Sequence, residues 1–249
     1  MPLKSTSAAV LIPERPTLPK LKQAVQDCRG CDLYRYATQA VFGEGPPRAS
    51  IVFIGEEPGN DEDLQGHPFV GPAGKLLDRA FADAGIERSD VYLTNVIKHF
   101  KFEERGKRRI HKKPRASEIE ACHPWLDAEL LLLKPQIVVC LGATAAQTML
   151  GAAFRLTQNR GEFFDHPQAQ CVTATVHPSS ILRAPDEQQR HAQYRDFVDD
   201  LVTIRQRLST LKRETLQSGA RKPARAPSSP RNSRSTPPLL LPRSRTLPR

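Results

Sequence analysis

The run Lys107-Arg108-Arg109-Ile110-His111 sets a histidine at the tip of a basic segment. Cations there draw in phosphate, and an imidazole with a free ring nitrogen can act as a nucleophile. The same composition also describes a solvated basic patch, so its chemistry depends on what stands around it. Three further points carry polar side chains after apolar runs: Gly55-Glu56, Asn95, and His177 in His177-Pro178-Ser179-Ser180. An amide can donate and accept along one hydrogen-bonding edge, and a histidine can donate to a leaving group. Taken singly, an asparagine at a strand end is a common turn former and His-Pro is a common dipeptide.

Cys28 and Cys31 form a C-x2-C pair, and Cys122 and Cys140 are separated by seventeen residues. The opening MPLKSTSAAVLIPERP has too short an apolar stretch, Ala8–Ile12, for a secretory leader. Metal binding is therefore expected over disulfides. Four thiolates suit zinc or an iron–sulfur cluster, and spacing does not choose between them. The alternative is that Cys122, Cys140 and Cys171 are ordinary core thiols, the natural reading for Cys171, which opens an apolar run.

These side chains need a scaffold, and the pattern of apolar runs supplies one. Strands are expected at 51–54, 91–95, 137–141 and 171–176. Helices are expected at 17–27, 74–84, from a Ser117 cap to Leu133, at 143–150 and at 186–208. Residues 98–115 are too charged for core and read as a long basic loop. Alternating strands and helices imply a parallel sheet covered on both faces, with ligands beyond the carboxyl ends of its strands. Glu56, Asn95 and His177 all fall at such ends.

The chain has 249 residues, is 39% hydrophobic and carries a net charge of +10. No apolar run approaches the roughly 18 residues that span a bilayer, and a cytoplasmic monomer is expected. Residues 212–249 hold ten Lys/Arg and one acidic residue, so nearly all the excess charge lies in that stretch. The expected organisation is a flexible segment at 1–16, one domain at 17–208, and a disordered Pro/Ser/Arg-rich tail at 209–249. Such a tail can hold DNA non-specifically through counterion release, or be a solvated extension without a task.

The motifs IGEEPGNDEDLQGHPFVGPAGKLLD, YLTN, the cysteine spacing and TVHPSSILR occur in that order over about residues 20–208. Together they resemble the uracil-DNA glycosylase superfamily, and within it the iron–sulfur family 4 branch. The KRRIH segment is similar to that of the UdgX subgroup, whose members bind uracil-containing DNA and become covalently linked to it. The resemblance implies a three-layer αβα sandwich around a central four-stranded parallel sheet. It also implies a [4Fe–4S] cluster on Cys28, Cys31, Cys122 and Cys140.

By the same resemblance, Phe69 would stack on uracil while Asn95, beside Gly55 and Glu57, would read its edge. His177 would hydrogen-bond O2. Lys107, Arg108, Arg109, Ser179, Ser180 and Arg183 would contact DNA, Arg109 also positioning the loop, and Ile181 and Leu182 would wedge the stack. Glu56 would orient or deprotonate His111, whose ring nitrogen captures the sugar C1′ in a single turnover. The subgroup's first motif reads Gly-Glu-Gln-Pro-Gly-Asp, whereas this chain has Glu57 for the Gln and Asn60 for the Asp. A second carboxylate beside Glu56 raises the pKa of one of the two, and Asn60 removes an anion that would anchor the basic loop. Three functions follow as expectations on uracil-containing DNA, single-stranded or flipped out of a duplex. They are covalent single-turnover capture, conventional multiple-turnover excision, and binding without chemistry.

Overall fold

The protein is seen in a computed structural model that describes residues 7–220. The tail from 221 onward and residues 1–6 lie outside the described residues. Four strands form the expected parallel sheet: β1 (Ile51–Gly55), β2 (Val91–Asn95), and, skipping a hairpin, β5 (Ile137–Leu141) and β7 (Ala169–Thr175). The hairpin consists of β3 (Phe102–Arg105) and β4 (Arg108–His111). A further strand, β6 (Phe163–His166), adds antiparallel to β7, so the sheet has five strands in the order β2-β1-β5-β7-β6 rather than four. β6 is short, only partly buried and carries Asp165 and His166, and such a segment reads as loop.

The parallel strands are buried along nearly their whole length because both faces of the sheet are covered, and β1 and β5 are apolar or Gly throughout. On one face Val52, Ile54, Val138 and Val172 meet α1 (Leu18–Ala24), α4 (Ala116–Leu133) and α5 (Ala143–Leu150), through Leu21, Trp125 and Ala146. On the other face Phe53 and Val139 meet α3 (Pro72–Ala84) and α8 (Glu187–Ala220), through Leu77, Phe81, Leu201 and Ile204. Each fully buried side chain of this size contributes about 1.5–3 kcal/mol. The short helices α2 (Asn60–Gln65), α6 (Leu156–Asn159) and α7 (Pro178–Leu182) complete the set.

Several boundaries differ from expectation. Ser117 does not cap α4: Arg115 is the cap residue, and the Glu118 carboxylate accepts its backbone N–H at 2.6 Å. α8 continues to Ala220, through residues assigned to a tail. A 3-10 turn over Ala8–Leu11 buries Ala8, so packed structure begins inside the segment expected to be flexible.

The largest difference lies in 98–115. The basic loop is largely the β3–β4 hairpin, turning at Gly106, whose φ of +59° suits a residue without Cβ. Phe102 pairs with His111 at the open end of the hairpin, so His111 sits at its base against the body of the protein, not at its tip. Alternation hides in this stretch because the outward-facing residues are charged. Glu103 takes Lys112 and Arg105 at 2.6 Å each, while Phe102 stacks on Phe100 at 5.1 Å between centroids.

Candidate active site

The carboxyl ends of β1, β2 and β7 open into a cavity of about 710 Å³, as expected for ligand sites in parallel sheets. Glu56, Glu57, Phe69, Asn95, His111 and His177 all line it. Gly55 pairs with Asn95 across the two strands. A Cβ at residue 55 would lie 2.3 Å from Asn95 Oδ1 and 2.8 Å from Phe69 Cζ, so glycine is what lets amide and ring approach each other. Phe69 holds a left-handed φ of +56°, and its backbone lies so close to Gly74 that a Cβ there would collide with the Phe69 carbonyl. The Phe69 ring is 6.2 Å from that of His177, at an interplanar angle of 30°.

His177 caps α7. Its Nδ1 accepts the Ser179 backbone N–H at 3.2 Å, which leaves the proton of the neutral ring on Nε2. Burial, with the nearby charges of Arg183 and His111, pushes the His177 pKa down to about 4. The ring is thus a neutral hydrogen-bond donor at physiological pH.

His111 Nε2 lies 3.0 Å from Glu57 Oε1 and 3.5 Å from Glu56 Oε1. Glu56 is fixed from its other oxygen by a short hydrogen bond from Thr144 Oγ1. The Glu57 side chain is fully buried. Burial lifts its pKa to about 7 against the opposing pull of His111. His111 is raised in turn, chiefly by Glu57 and further by Glu56.

The proposed DNA contacts divide. Lys107 and Arg108 are exposed on the outer half of the hairpin and outside the cavity, whereas Ser179 and Arg183 line it. Arg109 turns inward: Nη1 is 2.6 Å from Asp63 Oδ2, Nε donates to Asn60 Oδ1 at 2.8 Å, and the guanidinium lies over Phe102 at 4.9 Å. Asp63 thus supplies the anchoring anion that Asn60 does not, and Arg109 is a brace for the hairpin. Ser180 Oγ donates to the His177 carbonyl at 2.7 Å. Ile181 is 0% exposed in the core and cannot serve as a wedge, while Leu182 is 39% exposed.

A buried network beneath the site went unread in the sequence. Lys98 Nζ pairs with Glu129 at 2.5 Å, both side chains 0% exposed, and also donates to the Asn95 carbonyl at 2.9 Å. Tyr92, Thr94 and the Gly43 backbone N–H also donate to Glu129 at 3.0–3.1 Å. The available signal was a lone acid on the apolar face of α4, between Trp125 and Leu133.

The four proposed cysteine ligands are free thiols of one core cluster, with Cys28, Cys122 and Cys140 buried and Cys31 packed against it. The Cys28 and Cys31 thiols each act electrostatically on Cys122, whose pKa burial lifts to about 12. Cys28 Sγ accepts from Trp125 Nε1 at 3.2 Å, and Cys122 Sγ from the Lys98 backbone N–H at 3.4 Å. Cys140 lies in the middle of the sheet, and burial alone raises its pKa. His99, next to Lys98, has a buried ring held neutral, its pKa pushed down by burial to about 4. Among the described residues no three His, Cys, Asp or Glu side chains converge as metal ligands. By donor chemistry the thiols of Cys28, Cys31, Cys122 and Cys140 suit an iron–sulfur group. Cys171 is a core thiol.

The profile of the Uracil DNA glycosylase superfamily matches residues 42–202. A type-4 uracil-DNA glycosylase of Sulfurisphaera tokodaii is 35% identical over 208 residues, spanning 80% of this chain and 89% of its own length. One from Archaeoglobus fulgidus is 36% identical, spanning 68% of this chain and 85% of its own. One from Thermotoga maritima is 37% identical, spanning 66% and 82%.

Proposed function

The chain belongs to the uracil-DNA glycosylase superfamily, and from that premise we propose that it cleaves the N-glycosidic bond of deoxyuridine in DNA and that His111 then bonds the bared sugar carbon. The substrate is uracil-containing DNA, single-stranded or with the nucleotide turned out of the stack at a cost of a few kcal/mol. Phe69 offers the base a face and Asn95 its hydrogen-bonding edge. As the bond breaks, its electron pair passes to uracil N1, and the His177 Nε2–H stabilises the negative charge at O2. C1′ becomes positive in front of Glu56 and within reach of His111. An alkylated imidazole has no ready hydrolytic exit, so the reaction stops after one turnover.

The observation that carries this reading is that His111 Nε2, 3.0 Å and 3.5 Å from two carboxylates, shares one cavity with Asn95 and His177. Cys28, Cys31, Cys122 and Cys140 would hold a [4Fe–4S] cluster whose part is structural, tying the N-terminal segment to α4 and β5. The protein acts as a cytoplasmic monomer in this reading, and no described helix is long and apolar enough to cross a membrane.

Incubation with uracil-containing single-stranded DNA, followed by a denaturing gel, tests it. A slow-migrating band that is lost in His111→Ala is the expected result. Uracil release in excess of protein without such a band would make it a conventional glycosylase. Salt-reversible binding with neither product would make it a binder only.

A further inference from the structure

Glu57 is the least expected group in the cavity. Its side chain is 0% exposed, and apart from His111 the hydrogen-bonding group that acts on it is the Lys101 backbone amide. A carboxylate so placed must meet a cation or bind a proton. The ionisable group that reaches it is His111, whose Nε2 stands 3.0 Å away. Glu56 is differently situated: Thr144 holds one of its oxygens, the other is 3.5 Å from the same nitrogen, and its side chain is 24% exposed toward the cavity. The two adjacent carboxylates therefore have separate surroundings and separate work.

We propose that Glu57 is a positioning residue that aims His111 and takes the proton from its Nε2, leaving Glu56 to face C1′. The inference rests on the capture reading above. In the resting pair an imidazolium Nε2–H points at the Glu57 carboxylate. The proton moves to the Glu57 oxygen, which frees the Nε2 lone pair. That pair forms the bond to C1′ while the C1′–N1 pair leaves with uracil. The ring again carries a positive charge, with its remaining proton on Nδ1, and Glu57 is left as the neutral acid.

The other charged groups around His111 do not offer the same service. Glu56 favours the protonated ring, and Arg183, at the end of α7, disfavours it. His177 is neutral, and Lys113 and Glu62 stand in the cavity lining. With Glu57 as an internal acceptor, capture continues from the singly protonated pair. The adduct then forms at nearly constant rate as pH falls, until the pair binds a second proton.

The test is the pH profile of adduct formation in wild type and Glu57→Gln. From about pH 8 down to about pH 7, where Glu57 itself takes up a proton, the wild-type rate is expected to stay level, while the variant loses about tenfold per pH unit below its His111 pKa. Superimposable profiles would overturn the inference, because Glu56 or water would then be the acceptor. Histidine-selective NMR of the unliganded proteins gives a second reading: the His111 pKa should fall in Glu57→Gln, and an unchanged value overturns the inference independently of any adduct. If wild type forms no adduct at any pH yet frees uracil, it is the capture reading that fails, and the NMR titration still reports on the pair.

Discussion

Arg109 and Asp63 meet at 2.6 Å, guanidinium to carboxylate, with the Asp63 side chain 0% exposed. This contact, rather than the one at Asn60, ties the β3–β4 hairpin to α2, because Asp63 is also fixed by the Thr38 amide and hydroxyl at 2.9 and 2.6 Å. Asp63→Asn leaves Arg109 partly buried without its anion, a loss of about 3 kcal/mol for a broken buried pair. The hairpin should loosen, so trypsin should cut at Arg105–Arg108 faster than in wild type and adduct yield should drop. Unchanged digestion would show that the hairpin is held elsewhere.

Gly55→Ala should impair chemistry more than folding. The new methyl would crowd both Asn95 Oδ1 and Phe69, costing about 1–3 kcal/mol of stability by overpacking. A displacement near 1 Å at the base-reading amide costs about a hundredfold in rate. Single-turnover uracil release, compared with a urea melt, separates the two effects.

Lys98→Met should destabilise the fold by about 3–5 kcal/mol, because Glu129 would be stranded in the core. The Asn95 carbonyl would lose its Lys98 donor at the same time. The double replacement Lys98→Met/Glu129→Met removes both charges and should regain most of the stability but not the rate of uracil release. Equilibrium urea unfolding and single-turnover assays on the same proteins check this.

The depressed pKa of His177, about 4, makes a stability prediction. In the unfolded chain this ring titrates near the ordinary value of about 6.5. Between those values the unfolded state binds the extra proton, so the contribution is whole above about pH 6.5 and is lost as pH falls toward 4. His177→Gln should therefore flatten the acid limb of a stability–pH curve measured by urea unfolding. A limb as steep as wild type would assign it to other groups.

Iron content discriminates among the thiols. Cys122→Ala and Cys140→Ala should each abolish iron and the visible absorbance of the purified protein, whereas Cys171→Ala, in the core on the other face of the sheet, should retain both.

The four parallel strands were legible because their runs are dominated by apolar and β-branched residues, as in Ile51-Val52-Phe53-Ile54, and stop at Gly, Asn or His. β6 was not, since Asp165 and His166 interrupt it at an edge where one side needs no apolar cover. The strand-end residues Glu56, Asn95 and His177 could be placed at one end of the sheet from element order alone. Thr144, Asp63, Lys98 and Glu129 could not. Each acts through a partner at least 31 positions away in the chain, and a charge on an apolar face has no meaning until the opposing element is in place. The hairpin shows the same limit, because its ion pairs, Glu103 with Arg105 along β3 and with Lys112 across the ribbon, look like loop composition when read in one dimension.

The turn at Gly106 faces open space, with nothing within 4 Å of where a side chain would begin. It lies at the far end of the ribbon from residue 111, separated from it by the length of β4. A dye or affinity handle attached there would project away from the nucleic acid mouth without touching the reacting ring. The far end of the ribbon is therefore a place where a handle can ride on a part of the molecule that the cavity does not use.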